Sequence, residues 1–268
     1  MRRFFCRRGQ SLSLIFILFV SVLTIRLQAE NTSPVLILIR PLESQIDNLV
    51  ELKKQGFLDT DVQVIAVYHE DELSDYEPAR KFVAENNLSW IRFMTIKGGI
   101  DLTGSRPGRG VNPWTSQFQK LFDQSDGILF TGGMDLPPRL YGEEMNLTTE
   151  ATTPIRSMYE FSFLNHLVGD ADISENAEIP FLEKRPEYAV LCICLGCQTL
   201  NAAAGGTLIQ DIPSQVYGLH SYEDVLRQSP EEIHSSRYLS GLNYHIEESL
   251  PPALHRIRGN GLGRITAK

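Results

Sequence analysis

Ala189-Val-Leu-Cys-Ile-Cys194-Leu-Gly-Cys-Gln198-Thr-Leu-Asn-Ala-Ala-Ala204 decides the fold of this chain. An apolar run, Ala189 to Ile193, ends at a cysteine. After one Leu-Gly step an Ala-rich segment, Gln198 to Ala204, has the composition of a helix, so the stretch predicts a strand, a tight turn and a helix. Such a turn brings strand and helix backbones close together, which demands small residues two positions before and after its apex. Cys192 and Gly196 meet that demand around Cys194.

Upstream of this stretch the pattern alternates. Val35 to Ile39 predicts a strand, Leu42 to Gln55 a helix, Val62 to Val67 a strand and Asp75 to Asn86 a helix. Trp90 to Ile96 predicts a third strand; Gly98 to Asn112, rich in Gly and Arg, predicts a loop before a helix over Trp114 to Phe122. Gly127 to Phe130 follows as a fourth strand, and a helix over Pro154 to Val168 starts with proline in its first turn. Residues 169–187, with Pro180 and Pro186, lack periodicity and read as a connecting loop. The last fifty residues are also weak in pattern, and no internal repeat is visible. Strand and helix in alternation predict an α/β fold, a flavodoxin-like three-layer sandwich with a mainly parallel central sheet. Ligands of such sheets bind beyond the carboxyl ends of the strands. Two glycine-bearing segments follow strands there, Thr131-Gly132-Gly133 and Cys194-Leu195-Gly196-Cys197-Gln198.

The chain has 268 residues, 42% hydrophobic and 22% charged, enough for one folded unit with a substantial core. A formal charge of −8 without a basic stripe argues against a nucleic-acid partner. Arg2, Arg3, Arg7 and Arg8 precede an uncharged apolar run from Leu12 to Ile25 and then Leu27-Gln28-Ala29, the layout of a signal peptide. The run is shorter than the roughly 20 residues of a membrane span, so cleavage after Ala29 is expected. Arg26 and Leu27 are unusual beside a cleavage site, and an uncleaved segment would make a short anchor, the one route to a membrane. Residues 1–29 are therefore set apart from a domain over 30–268. Localisation is expected to be secreted, periplasmic, or in a secretory or lysosomal lumen. Asn31, Asn87 and Asn146 lie in glycosylation sequons, which matter only in a eukaryotic secretory pathway.

Four cysteines are present; Cys6 lies in the targeting segment and Cys192, Cys194 and Cys197 crowd together. One cluster is not a disulfide framework. Spacing leaves three readings: small hydrophobes on a buried strand, a Cys194-x-x-Cys197 redox pair at a strand-to-helix junction, or a nucleophile on an elbow whose helix N-terminus favours thiolate. A zinc site needs about four ligands, and no second Cys or Cys–His pair completes one, so neither metal nor cofactor is expected.

Ile193-Cys194-Leu195-Gly196-Cys197-Gln198 resembles the nucleophile motif of the class I glutamine amidotransferase superfamily. Asn201-Ala-Ala-Ala-Gly205-Gly206-Thr207-Leu208 resembles the helix end and Gly-Gly turn of the branch containing gamma-glutamyl hydrolase and gamma-glutamyl-gamma-aminobutyrate hydrolase. Gly127-Ile-Leu-Phe-Thr131-Gly132-Gly133 resembles that branch's oxyanion loop, with Asp135, Pro138 and Tyr141-Gly142-Glu143 continuing the likeness. Arg156 and Glu160 fall where the branch has an Arg and a Glu on the next helix. The likeness covers residues 126–216; the N-terminal third matches only in the order of its elements.

The resemblance implies hydrolysis of a gamma-glutamyl amide bond of a small-molecule substrate through a thioester on Cys194. It implies oxyanion donors at the amides of Gly133 and Leu195, and Gly132 and Gln198 beside the substrate. Export would separate the chain from a synthetase that takes up ammonia, which favours water as acceptor. Arg156 reads equally well as a carboxylate clamp or a solvated helix arginine, and Tyr141 as a packing residue. The family activates its cysteine with a histidine on a late strand, closely followed by a Glu or other orienting residue. His69 and His166 come too early for this. His220 and His234 lie in polar surroundings. His245 with Glu247 has the outward form of the pair but no strong apolar run. Leu254-His255-Arg256-Ile257-Arg258 with Leu262 resembles the strand pair that precedes the catalytic histidine, so the domain is expected to be incomplete at its C-terminus. A relative that binds a gamma-glutamyl ligand without turnover, and a thiol–disulfide oxidoreductase, are the alternative functions. Oligomeric state is not legible.

Overall fold

The computed structural model describes residues 33–99, 107–151, 153–169, 179–228, 257–260 and 264–267. The expected signal segment, His234, His245 with Glu247, and His255 lie outside the described residues. The chain divides into two compact units, one formed by residues up to 145 together with 150–208, the other by 146–149 together with 209–268.

In the first unit the elements run β1 (Val35–Ile39), α1 (Glu43–Lys54), β2 (Gln63–His69), α2 (Glu77–Glu85), β3 (Ile91–Ile96), α3 (Thr115–Asp123) and β4 (Gly127–Phe130). A 3-10 turn (Pro138–Tyr141), α4 (Pro154–Val168), the single turn α5 (Phe181–Lys184), β5 (Ala189–Cys192) and α6 (Leu195–Ala203) complete it. The five strands form one sheet in the order β3-β2-β1-β4-β5, and every pairing is parallel. This is the expected α/β sandwich.

Strand side chains alternate between two helical layers, as period 2 requires. Ile37, Ile39, Ile65 and Val67 pack with α3, α4 and α6 through Phe118, Phe122, Phe161, Phe163 and Ala202. Leu36, Leu38, Val64 and Ala66 pack with Ile46 and Leu49 of α1 and Ala79 of α2. Burial on both faces explains why these strands read as continuous apolar runs. α4 is enclosed almost all round, with every residue from Arg156 to Leu167 buried. A helix so placed holds its polar side chains inside the protein, where each needs a partner.

Strand order reverses at β1, whose neighbours β2 and β4 continue in opposite directions, and such a switch point opens a crevice beyond the carboxyl ends. β1 there gives way to Arg40 and β4 to Thr131-Gly132-Gly133. The expected connecting loop 169–187 contains α5, where Phe181 is buried against Phe122. The expected helix from Gln198 begins three residues earlier, at Leu195.

Among its described residues the second unit holds two short helices, α7 (Ile212–Tyr217) and α8 (Tyr222–Leu226). Each has a side-chain N-cap: Asp211 accepts from the Ser214 amide at 2.9 Å and Ser221 from the Asp224 amide at 3.1 Å. β6 (Ile257–Asn260) and β7 (Arg264–Ala267) pair antiparallel. No described helix is long and apolar enough to cross a membrane.

Candidate active site

Register places the Cys194 loop beside the glycine loop. Phe130 pairs with Cys192 at the ends of β4 and β5, and two residues further on from each stand Gly132 and Cys194. A Cβ on Gly132 would lie 3.2 Å from Cβ of Cys194 and 3.8 Å from its Sγ, so the absent side chain is what leaves the thiol uncovered on that side.

Cys194 has φ 54° and ψ −111° and stands between β5 and α6. Among the described residues the other non-glycine residues with positive φ are Arg40 and Asn87. A side-chain-bearing residue in such a conformation costs of order 1–3 kcal/mol and persists only where its surroundings enforce it. They do so here. The Ile193 amide donates to the Phe130 carbonyl (2.9 Å), and the amides of Cys197 and Gln198 donate to the Cys194 carbonyl at 3.0 and 3.2 Å. Gly196 sits so near Phe130 that a Cβ there would meet the Phe130 carbonyl oxygen at 2.7 Å.

The three clustered cysteines differ in setting. Cys194 is exposed, Cys197 exposed and Cys192 half-buried, and none is in a disulfide. Burial pushes the Cys192 thiol well above its ordinary range, and burial followed by the neighbouring Cys194 pushes Cys197 upward. The Cys197 thiol donates to the Cys192 carbonyl, so it is turned back toward the strand.

Neither the Gly133 nor the Leu195 amide donates a hydrogen bond to another described residue. Gln198, half-buried, is in the first turn of α6. The far end of that helix is anchored from two sides. Arg109 donates to the carbonyls of Ala203 and Ala202 (3.1 and 2.8 Å), and Asn165 donates to Ala203 (3.0 Å), so the carbonyls left open at the helix end are filled. The loop after β4 is held at its outer end by Asp135, whose amide donates to the Glu150 carbonyl and whose carboxylate accepts from the Glu150 amide, both at 2.9 Å. Tyr141 packs against the core.

Residues 111–248, about half of the chain, match the peptidase C26 family. The chain belongs to the peptidase C26 family. It is 36% identical over 122 residues to the glutamine amidotransferase-like protein YvdE homolog of Lactococcus lactis subsp. cremoris, a stretch covering 44% of this chain and 53% of that protein. To the glutamine amidotransferase-like protein YvdE of Lactococcus lactis subsp. lactis it is 35% identical over 122 residues, 44% of this chain and 42% of the relative. The chain thus spans about half the length of the relatives it matches. These likenesses support the class I glutamine amidotransferase-like superfamily expected from the cysteine motif.

Arg156 of this peptidase C26 member corrects one half of the expectation for it, because it is not solvated. Its residue is 3% exposed, its Nε donates to Glu160 Oε1 at 2.7 Å, and its Nη2 donates to the Gly132 carbonyl at 3.2 Å. Glu160 is 1% exposed, and burial outweighs the attraction of Arg156, raising its carboxyl to about 7. Arg40 was not legible as a site residue, yet its Nη1 donates to the same Gly132 carbonyl at 3.0 Å. Its one signal is an arginine directly after five apolar strand residues at the carboxyl edge. Nearby, Glu72 accepts from the His69 amide (3.0 Å) and the Tyr76 hydroxyl (2.9 Å), and burial raises its carboxyl.

The early histidines are occupied elsewhere. His69 donates from Nε2 to the Gly98 carbonyl (2.7 Å) and accepts at Nδ1 from the Asp71 amide (3.1 Å), while its ring meets Trp114 edge-on. His166 bonds to the Ser162 carbonyl (2.7 Å) and the Thr115 hydroxyl (2.8 Å). Both are fixed in the interior as structural groups.

Proposed function

We propose that this chain carries the acyl-transfer centre of a cysteine hydrolase that cleaves gamma-glutamyl amide bonds of small molecules. The observation that carries the reading is Cys194 itself, exposed on a strained backbone between β5 and α6 with Gly132 against its Cβ.

The Cys194 thiolate attacks the amide carbonyl carbon, forming the S–C bond as the C=O pair moves onto oxygen. The Gly133 and Leu195 amides donate to that oxyanion, where preorganised donors act without reorganisation cost. Collapse breaks the C–N bond; the amine leaves with a proton from a general acid, and a thioester remains. Water then attacks the thioester, releasing the gamma-carboxylate and restoring the thiol. Gln198, on the helix above the thiol, contacts the glutamyl portion of the substrate.

The leaving amine needs a proton donor, and among the histidines of this chain His245, with Glu247 two residues on, is the first to change to Ala. Segregation by an N-terminal signal, and water rather than a synthetase as acceptor, are part of the same proposal. The test is a turnover assay on a panel of gamma-glutamyl amides, with Cys194→Ala as control. Release of glutamate that the variant loses supports the hydrolase. Saturable binding of the same amides without turnover, in a protein whose Cys194 is not acylated, would instead make it a gamma-glutamyl binding protein.

A further inference from the structure

Two arginines remote in sequence converge on one carbonyl. Arg40, leaving β1, and Arg156, in the first turns of α4, donate to the Gly132 oxygen at 3.0 and 3.2 Å. A backbone carbonyl satisfied by two guanidinium groups is more than a loop needs, and charge-assisted bonds of this kind are stronger than neutral ones. Arg156 is buried and held by Glu160 at 2.7 Å, and Arg40 is half-buried with its backbone at φ 56°, a conformation that costs a side-chain-bearing residue energy. Gly133 leaves room for the guanidinium, because a Cβ there would collide with the Arg156 Nη1.

The Gly132 carbonyl and the Gly133 N–H belong to the same peptide plane. In a trans peptide they point in opposite directions, so whatever fixes the oxygen fixes the N–H. A glycine pair is otherwise the place where a peptide plane turns over most readily. We propose that Arg40 and Arg156 are positioning residues that lock the Gly132–Gly133 peptide with its N–H aimed away from the guanidinium pair as an oxyanion donor. The inference rests on the hydrolase reading above, and it explains why a helix interior carries a buried Arg–Glu pair. Glu160 holds Arg156, Arg156 and Arg40 hold the carbonyl, and the carbonyl orients the amide.

The experiment compares two reactions of the same thiol. With p-nitrophenyl acetate, Cys194 sulfur bonds to the acetyl carbon through a tetrahedral oxyanion, and p-nitrophenolate leaves with the electron pair of the broken C–O bond, so no proton donor is needed. With iodoacetamide, sulfur displaces iodide and no oxyanion forms. Arg156→Lys keeps the charge beside Glu160 but loses the fork; Arg40→Met changes only a half-buried side chain and carries the test should Arg156→Lys not fold. In each, acylation of Cys194 should fall roughly 10- to 100-fold, part of the 10²- to 10³-fold seen when an oxyanion donor is removed outright, while alkylation stays within about twofold. Unchanged acylation in folded variants would overturn the proposal. Equal loss of acylation and alkylation would overturn it too, since that is the mark of general disturbance. Failure of the unaltered protein to acylate at Cys194 would overturn the hydrolase reading first and this inference with it.

Discussion

Gly196 stands against Phe130 with no room for a methyl group: a Cβ would meet the Phe130 carbonyl oxygen at 2.7 Å and its Cβ at 2.9 Å. The first of these is backbone, held in the sheet by its bond from the Ile193 amide, and cannot yield cheaply. Gly196→Ala should therefore destabilise the protein by about 1–3 kcal/mol, as overpacking does, and slow alkylation of Cys194 by shifting the elbow. Thermal melts and timed iodoacetamide labelling check both. An unchanged melting temperature with unchanged labelling would mean that the elbow is not tight.

Thiol reactivity should rank Cys194 first, Cys197 second and Cys192 last. The thiolate is the reactive form, burial suppresses it at Cys192, and at Cys197 burial and the Cys194 neighbour do so more mildly. Peptide mapping after short alkylation reads the order. A disulfide between Cys194 and Cys197 in untreated protein, with equal labelling after reduction, would favour the redox alternative.

The elements were legible where burial on both faces left an unbroken apolar run or a proline marked a helix start. The apolar runs at Val35–Ile39 and Gly127–Phe130 are strands over those same residues, and the helix expected over Pro154–Val168 has those bounds. Capping was less legible. α6 begins at Leu195 because Cys194 itself occupies the cap position, and a cysteine in that role carries no compositional signal. Arg156 could not be told from a surface arginine, since nothing in the spacing of α4 says that the sheet and the helices α3, α5 and α6 pack around it. Arg40 and Gly132 are 92 positions apart, and only the parallel pairing of β1 with β4 brings them together. The motif around Cys194 was the opposite case, a local signal for a local structure.

Gly133→Ala tests the other side of the glycine pair. The added methyl would meet the Arg156 guanidinium, which cannot retreat without loosening its bonds to Glu160 and Gly132. The variant should fold, keep alkylation of Cys194 near the original rate and lose most acylation by p-nitrophenyl acetate. Full acylation would remove Gly133 from the oxyanion site.

Glu160 should leave a mark on stability. Its carboxyl is raised to about 7 in the folded protein, chiefly by burial, above the ordinary value of about 4.3 expected when unfolded. Between those values the folded state binds the extra proton, so this residue's contribution is fully present below about pH 4 and is lost as pH rises through about 7. Glu160→Gln should flatten that part of the profile. The check is the difference in melting temperature between the two proteins across pH 4 to 8, a range set by those two values; parallel profiles would assign the titration elsewhere.

Capture of an acyl-enzyme reads the chemistry of Cys194 itself. The protein is mixed with gamma-glutamyl p-nitroanilide, quenched in acid and analysed by intact-mass and peptide-mapping mass spectrometry. The expected product carries a mass increase of one gamma-glutamyl group, located on Cys194, sensitive to hydroxylamine as a thioester is, and absent from Cys194→Ala. A gamma-glutamyl group on Cys197 or Cys192, or one that persists in Cys194→Ala, would contradict it.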